Sequence, residues 1–98
     1  MSGSQSQVWV AGHDGHTLIR ADAIMAIGQE DGQVTARLAG PDGLEVLLAD
    51  GTGDDMPIPD DFHCQLIRAV AEAAYAGGAR LIRAYRDDGG WHWVTGPV

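Results

Sequence analysis

The chain has no lysine and no asparagine, and all six of its basic residues are arginine. Both missing residues have AT-rich codons, which points to a GC-rich bacterial genome. There is one cysteine, Cys64, so no internal disulfide framework can form, and a reducing compartment fits. Serine is confined to Ser2, Ser4 and Ser6, in the stretch that reads as a tail, which argues against a serine triad. No run approaches the roughly 20 apolar residues that span a bilayer. Residues 1–7 carry neither the basic nor the apolar region of a signal peptide; they read as a frayed tail before a single domain at 8–98. A cytoplasmic location is expected.

Basic charge is scarce as well. The net charge is −8, unevenly spread: residues 1–61 hold eleven acids and two arginines, and residues 62–98 three acids and four arginines. Direct binding of nucleic acid or of an anionic membrane is therefore disfavoured, since neither has a basic footprint to use. Solubility accounts for the acidity, and a basic protein partner is the other reading.

What the chain does contain is turns. Five Asp-Gly pairs begin at Asp14, Asp31, Asp42, Asp50 and Asp88. Asp-Gly supplies the positive φ that tight hairpins need. Between the turns lie short runs of strand period, at Val8–Ala11, His16–Arg20, Ile24–Ile27, Gln33–Ala39 and Leu44–Ala49. Ala21-Asp22-Ala23 splits the second from the third as a tight or helical turn. Phe62, Leu66, Ala69, Val70 and Ala73 recur at helical spacing and predict a helix over Asp61–Ala76. Asp60 and Asp61 are placed to cap its start, and Gly77-Gly78 to end it. Two further runs follow, at Ala79–Arg86 and Trp91–Thr95.

The predicted fold is α+β: an antiparallel, twisted β-meander in the order ββββ-α-ββ, the second element split, with one helix on one face of the sheet. The expected core is Ile24, Ile27, Val34, Leu38, Val46, Leu48, Phe62, Leu66, Val70 and Leu81.

No pattern announces a chemistry. His13 and His16 flank the first Asp-Gly turn, and are the one candidate pair for a metal. Nothing brings His63, Cys64 or His92 to them, so no metal and no cofactor are expected. Cys64 reads as a small apolar residue. His63 is its neighbour on a helix, where adjacent side chains diverge, so the two do not form a ready nucleophile–base pair. No phosphate-binding glycine motif is present. The chain is read as non-enzymatic.

The last two runs are richer. With Asp88-Gly89 as the turn, Tyr85 faces His92, Ala84 faces Trp93 and Arg86 faces Trp91, the last pair suited to a cation–π contact. Trp91 and Trp93 then share one face with Ile82, Ala84 and Arg86. That face is either core against the helix or an exposed interface, and tryptophan and arginine are the residues enriched at hot spots.

From Val8 to about Ala74 the layout resembles the small FlbD-like proteins of bacterial flagellar operons. The matching stretches are Arg20–Ile27, Val34–Leu38, Gly43–Val46 and the helix from Phe62, within about two thirds of the chain. The resemblance implies a small regulatory or adaptor module, and it reaches neither the acidic loop nor the C-terminal hairpin.

The expected function is a protein-interaction module, homodimeric through the C-terminal hairpin, with Arg83, Tyr85, Arg86, Trp91 and Trp93 as its binding residues. The alternative is an acidic neutraliser: an immunity-type inhibitor, an antitoxin-like protein or a secretion chaperone. It would meet a basic partner with the Asp50–Asp61 loop, chiefly Asp50, Asp54, Asp55 and Asp60.

Overall fold

The computed structural model describes residues 7–98. In chain order it has β1 (Gln7–Ala11), β2 (Leu18–Arg20), one 3-10 turn (Ala21–Ala23), β3 (Ile24–Glu30), β4 (Gln33–Leu38) and β5 (Glu45–Asp50). Helix α1 (Phe62–Ala76), β6 (Ala79–Asp87) and β7 (Gly90–Pro97) complete it. The fold is α+β, with the helix packed on a sheet.

The sheet is not the single meander expected. The strands form two sheets, ordered β2-β1-β6-β7 and β3-β4-β5. The 3-10 turn redirects the chain after β2, so β3 starts a new sheet. The free side of β1 is then taken by β6, in parallel, with Gln7 opposite Ala79 and Val10 opposite Ile82. Gln7, expected in the tail, begins β1 and donates its N–H to the Gly78 carbonyl at 3.0 Å; the rest of the expected tail lies outside the described residues.

Two of the Asp-Gly pairs make two-residue hairpins. Asp31 (φ 53°) and Gly32 (φ 77°) join Glu30 to Gln33, and both are left-handed as a type I′ turn requires. Asp88-Gly89 joins Asp87 to Gly90, which gives the expected pairs Tyr85–His92, Ala84–Trp93 and Arg86–Trp91. Asp50-Gly51 closes no hairpin; it ends β5 and ties back through Gly51 N–H to the Gly32 carbonyl at 2.8 Å.

The helix ends as expected, with Gly77 at φ 79° and its N–H on the Ala74 carbonyl. Its start differs. Asp61 makes no side-chain cap; its carboxylate accepts from the Gln65 amide at 2.9 Å, on the next turn.

The largest fully buried side chains are Phe62, Leu48, Leu66, Ile82, Val10 and Val34. Each contributes roughly 1.5–3 kcal/mol by leaving water. Of the other expected core residues, Ile24, Ile27, Leu38, Val46 and Val70 are partly buried and pack against this cluster. Leu81 is a correction: strand parity points Ile82 inward, so Leu81 takes the other face. The β4–β5 register shifts beside Val34, which makes β5 bulge there, so that Leu48 and Ala49 are both buried in succession.

Candidate functional site

The hairpin β6–β7 was singled out in the sequence for its arginines and tryptophans. The structure resolves which way it faces. Trp93 stacks on Phe62 with centroids 4.5 Å apart and planes at 16°, and its indole N–H donates to the Phe62 carbonyl at 2.8 Å. Trp91 meets Phe62 edge-on at 6.1 Å and donates to the Met56 carbonyl at 3.0 Å. Both are half-buried. The tryptophan face is thus core against the helix, and both polar tips are satisfied inside the molecule. Among the described residues a cation–π contact is made by Arg20 over Trp9, at 5.8 Å. Arg86 lies across from Trp91 in register, but its guanidinium reaches Asp54 at 2.8 Å instead.

The acidic loop is stitched down. Asp50 accepts from the Thr52 N–H at 3.0 Å and hydroxyl at 2.6 Å, and these bonds hold its carboxyl below the usual range. Asp54 accepts from the Met56 N–H at 2.9 Å, which, together with Arg86, lowers it too. Ile58 is buried beneath the loop, and the Pro59 carbonyl accepts from the Gln29 amide at 2.6 Å. Of the aspartates proposed to meet a basic partner, Asp55 and Asp60 are exposed, while Asp50 and Asp54 serve the loop itself.

His13 and His16 sit exposed in the first turn. Asp14 between them accepts from the Thr17 and His16 N–H groups, both at 2.9 Å, and from the Thr17 hydroxyl at 2.8 Å. These bonds bring its pKa down to about 2. Among the described residues no three His, Cys, Asp or Glu side chains converge as metal ligands would. Cys64 is exposed, not a buried apolar residue. Its Sγ lies 3.8 Å from His63 Nε2, and Gln29 holds the other side of that imidazole by its Nδ1 at 2.8 Å.

Four of the five expected binding residues line one crevice. Arg83, Tyr85, Arg86 and Trp91 meet His13 and Leu48 around a volume of about 380 Å³, within the roughly 300–1,000 Å³ typical of ligand sites. Trp93 lies elsewhere, beside Arg68 and Glu72. The crevice has a simple origin. β1 accompanies β6 only from Ala79 to Ile82. Beyond Ala11 the chain swings away, and the His13 N–H bonds the Leu47 carbonyl of β5 at 2.8 Å. The second half of β6 therefore pairs with β7 on one side and with no strand on the other, where β5 approaches without pairing. The bond from Gln7 to Gly78 also sets the parity: even-numbered residues of β6 turn their backbone groups toward β1, so Arg86 turns its own toward the crevice. Arg83 and Tyr85 are exposed at its rim.

A larger hollow, about 460 Å³, lies on the outer face of β3-β4-β5. It is floored by Ala26, Gly28 and Thr35 under a long Arg37–Glu45 pair at 3.9 Å, and it offers no aromatic wall. In the crevice, His13 and Leu48 are the residues that sequence reasoning missed. The available signal was the length mismatch between a short first run and a long sixth one. Comparison with protein-family models, with curated proteins and with solved structures found no match to this chain.

Proposed function

We propose that this chain is a non-enzymatic protein-interaction module whose C-terminal hairpin receives an extended segment of a partner by strand addition to β6. The observation that carries this reading is the open second half of β6, lined by Arg83, Tyr85, Arg86 and Trp91. An unpaired strand edge supplies main-chain hydrogen bonds for affinity, and the adjoining crevice supplies specificity. Arginine and tyrosine at the rim are the residue types that dominate interface energetics. The half-buried tryptophan face supports the reading indirectly, by fixing β7 on the helix so that the hairpin is a firm platform.

The test is affinity capture by the folded wild-type chain and by a Tyr85→Ala/Arg83→Glu variant, with quantitative mass spectrometry and light-scattering mass on both. A partner retained by the wild type and lost by the variant is expected. Identical retention by both would overturn the reading. A dimer mass that the double variant reduces to monomer would identify the partner as a second copy.

A further inference from the structure

The crevice has a shape that narrows the kind of segment it can take. This step rests on the strand-addition reading above. An extended segment lying beside β6 can occupy the lane only from Arg83 onward, because β1 already fills it through Ile82. Ala11 and the turn carrying Gly12 and His13 stand at that boundary. The lane is therefore closed at one end. A strand passing through a polypeptide would collide there, whereas a chain that ends there would not.

The charge at the closed end decides which terminus. The molecule carries −8 overall, yet the crevice is lined by two of its six arginines, Arg83 and Arg86, together with His13. Asp54 neutralises one of them, through Arg86 at 2.8 Å. Arg83 is exposed at the boundary residue itself and is free of any ion pair found among the described residues. Asp14 of the closing turn is held by the Thr17 and His16 groups, which leaves Arg83 as the unpaired charge lining the lane among the described residues, and guanidinium groups favour carboxylates. Exposed Leu18 and half-buried Trp91 add an apolar wall suited to an aliphatic side chain next to the terminus.

We infer that the crevice is a binding site for a free C-terminal carboxylate, delivered by an extended peptide antiparallel to β6 with an aliphatic last residue. The antiparallel sense follows because the segment must end at Arg83 while β6 runs from Ala79 to Asp87.

The experiment is a titration of the ¹⁵N-labelled chain with two probes, followed by backbone amide shifts to millimolar concentration. The first is an N-acetylated alternating valine–threonine pentapeptide ending in leucine with a free carboxylate. The second is the same peptide as its C-terminal amide. The acid form is expected to move the amides of residues 83–87 and of Gly12 and His13. Amidation, or Arg83→Glu in the protein, is expected to weaken binding by about tenfold or more, as loss of a charge-assisted contact does. Equal binding of both peptides at these amides would overturn the terminal-carboxylate site and leave strand addition standing. No shift at these amides with either peptide would overturn the site, while the capture experiment separately decides the interaction function.

Discussion

The Phe62 carbonyl accepts a hydrogen bond from the Trp93 indole at 2.8 Å, while the two rings stack at 4.5 Å, so one residue of the helix start holds Trp93 by both its backbone and its side chain. This double contact pins β7 to α1. Trp93→Ala is expected to cost about 3 kcal/mol, the low end for a large aromatic because Trp93 is only half-buried. Trp93→Phe keeps the stacking and loses the N–H, and should cost about 1 kcal/mol. Urea unfolding of the two variants checks the ranking; equal losses would mean that the ring contact contributes nothing.

Gln29 ties the helix start to β3 across the core. Its amide oxygen accepts from the His63 backbone N–H at 3.0 Å and faces the His63 ring at 2.8 Å, while its NH₂ donates to the Pro59 carbonyl at 2.6 Å. With its nitrogen committed to a carbonyl, the oxygen must face His63. Nδ1 then carries the proton, and Nε2 turns a lone pair toward Cys64. Gln29→Leu strands these part-buried groups, and a loss of about 2 kcal/mol is expected. The same variant should expose the loop before α1, read as faster amide exchange at residues 56–61; unchanged exchange there would contradict the tie.

Acid should loosen the first hairpin in a defined window. Asp14 titrates at about 2 in the folded chain, against an ordinary value of 3.8. A depressed carboxylate stabilises the fold above the unfolded value, and that stabilisation is lost as pH falls from about 3.8 toward about 2. Asp50, Asp54 and Asp87 are lowered as well, so they add to the loss in the same direction. Asp14→Asn should flatten part of the stability slope between these pH values without changing its sign. A slope identical to wild type would show that the Thr17 and His16 bonds do not persist in solution.

The glycines give a clean contrast. A Cβ on Gly51 would stand 2.7 Å from Cγ1 of buried Ile58, and 3.5 Å from the Gly32 carbonyl on its other side. A Cβ on Gly28, in β3, meets nothing within 4 Å and needs no positive φ. Gly51→Ala is expected to cost about 1–3 kcal/mol by overpacking. Gly28→Ala should be neutral or stabilising by up to about 1 kcal/mol, because it restricts the unfolded chain. Thermal unfolding of both, side by side, checks the sign.

These relationships differ in how far the sequence shows them. The turn at Asp88-Gly89 falls at the expected place, though its positive-φ residue is Gly90 (φ 113°). The one at Asp31-Gly32 was legible because its positive φ is a local property, and a two-residue turn sets the register of every pair behind it. The helix stripe from Phe62 was legible for the same reason. The pairing of β1 with β6 joins Val10 to Ile82 across most of the chain, and no local pattern encodes it. The crevice exists only because of that pairing, so its composition was half visible: Arg83, Tyr85, Arg86 and Trp91 were flagged by residue type, while His13 and Leu48 arrive from other elements. The face of Trp93 was undecidable from parity alone, since parity groups residues without saying which group meets the helix.

The ion pair between Arg86 and Asp54 carries the last prediction. It spans from β6 to the loop before α1 at 2.8 Å, with both side chains largely covered, at 32% and 25% exposure. Arg86 Nε is buried and has no hydrogen-bond partner. The guanidinium therefore relies on Asp54 more than a surface arginine would. Asp54 also accepts the Met56 N–H, so Asp54→Ala removes a turn contact and strands a half-buried cation together. A clear loss of stability is expected from Asp54→Ala, and a smaller one from Asp54→Asn, which keeps an acceptor. Arg86→Met should be milder than Asp54→Ala, since it removes the unsatisfied Nε along with the charge and retains the apolar stem beside Trp91. In the double variant the two losses should fall short of their sum. Strict additivity in a double-mutant cycle would show that the pair contributes no coupling, and that the loop is held by its other contacts, such as those of Trp91 with Met56 and Gln29 with Pro59.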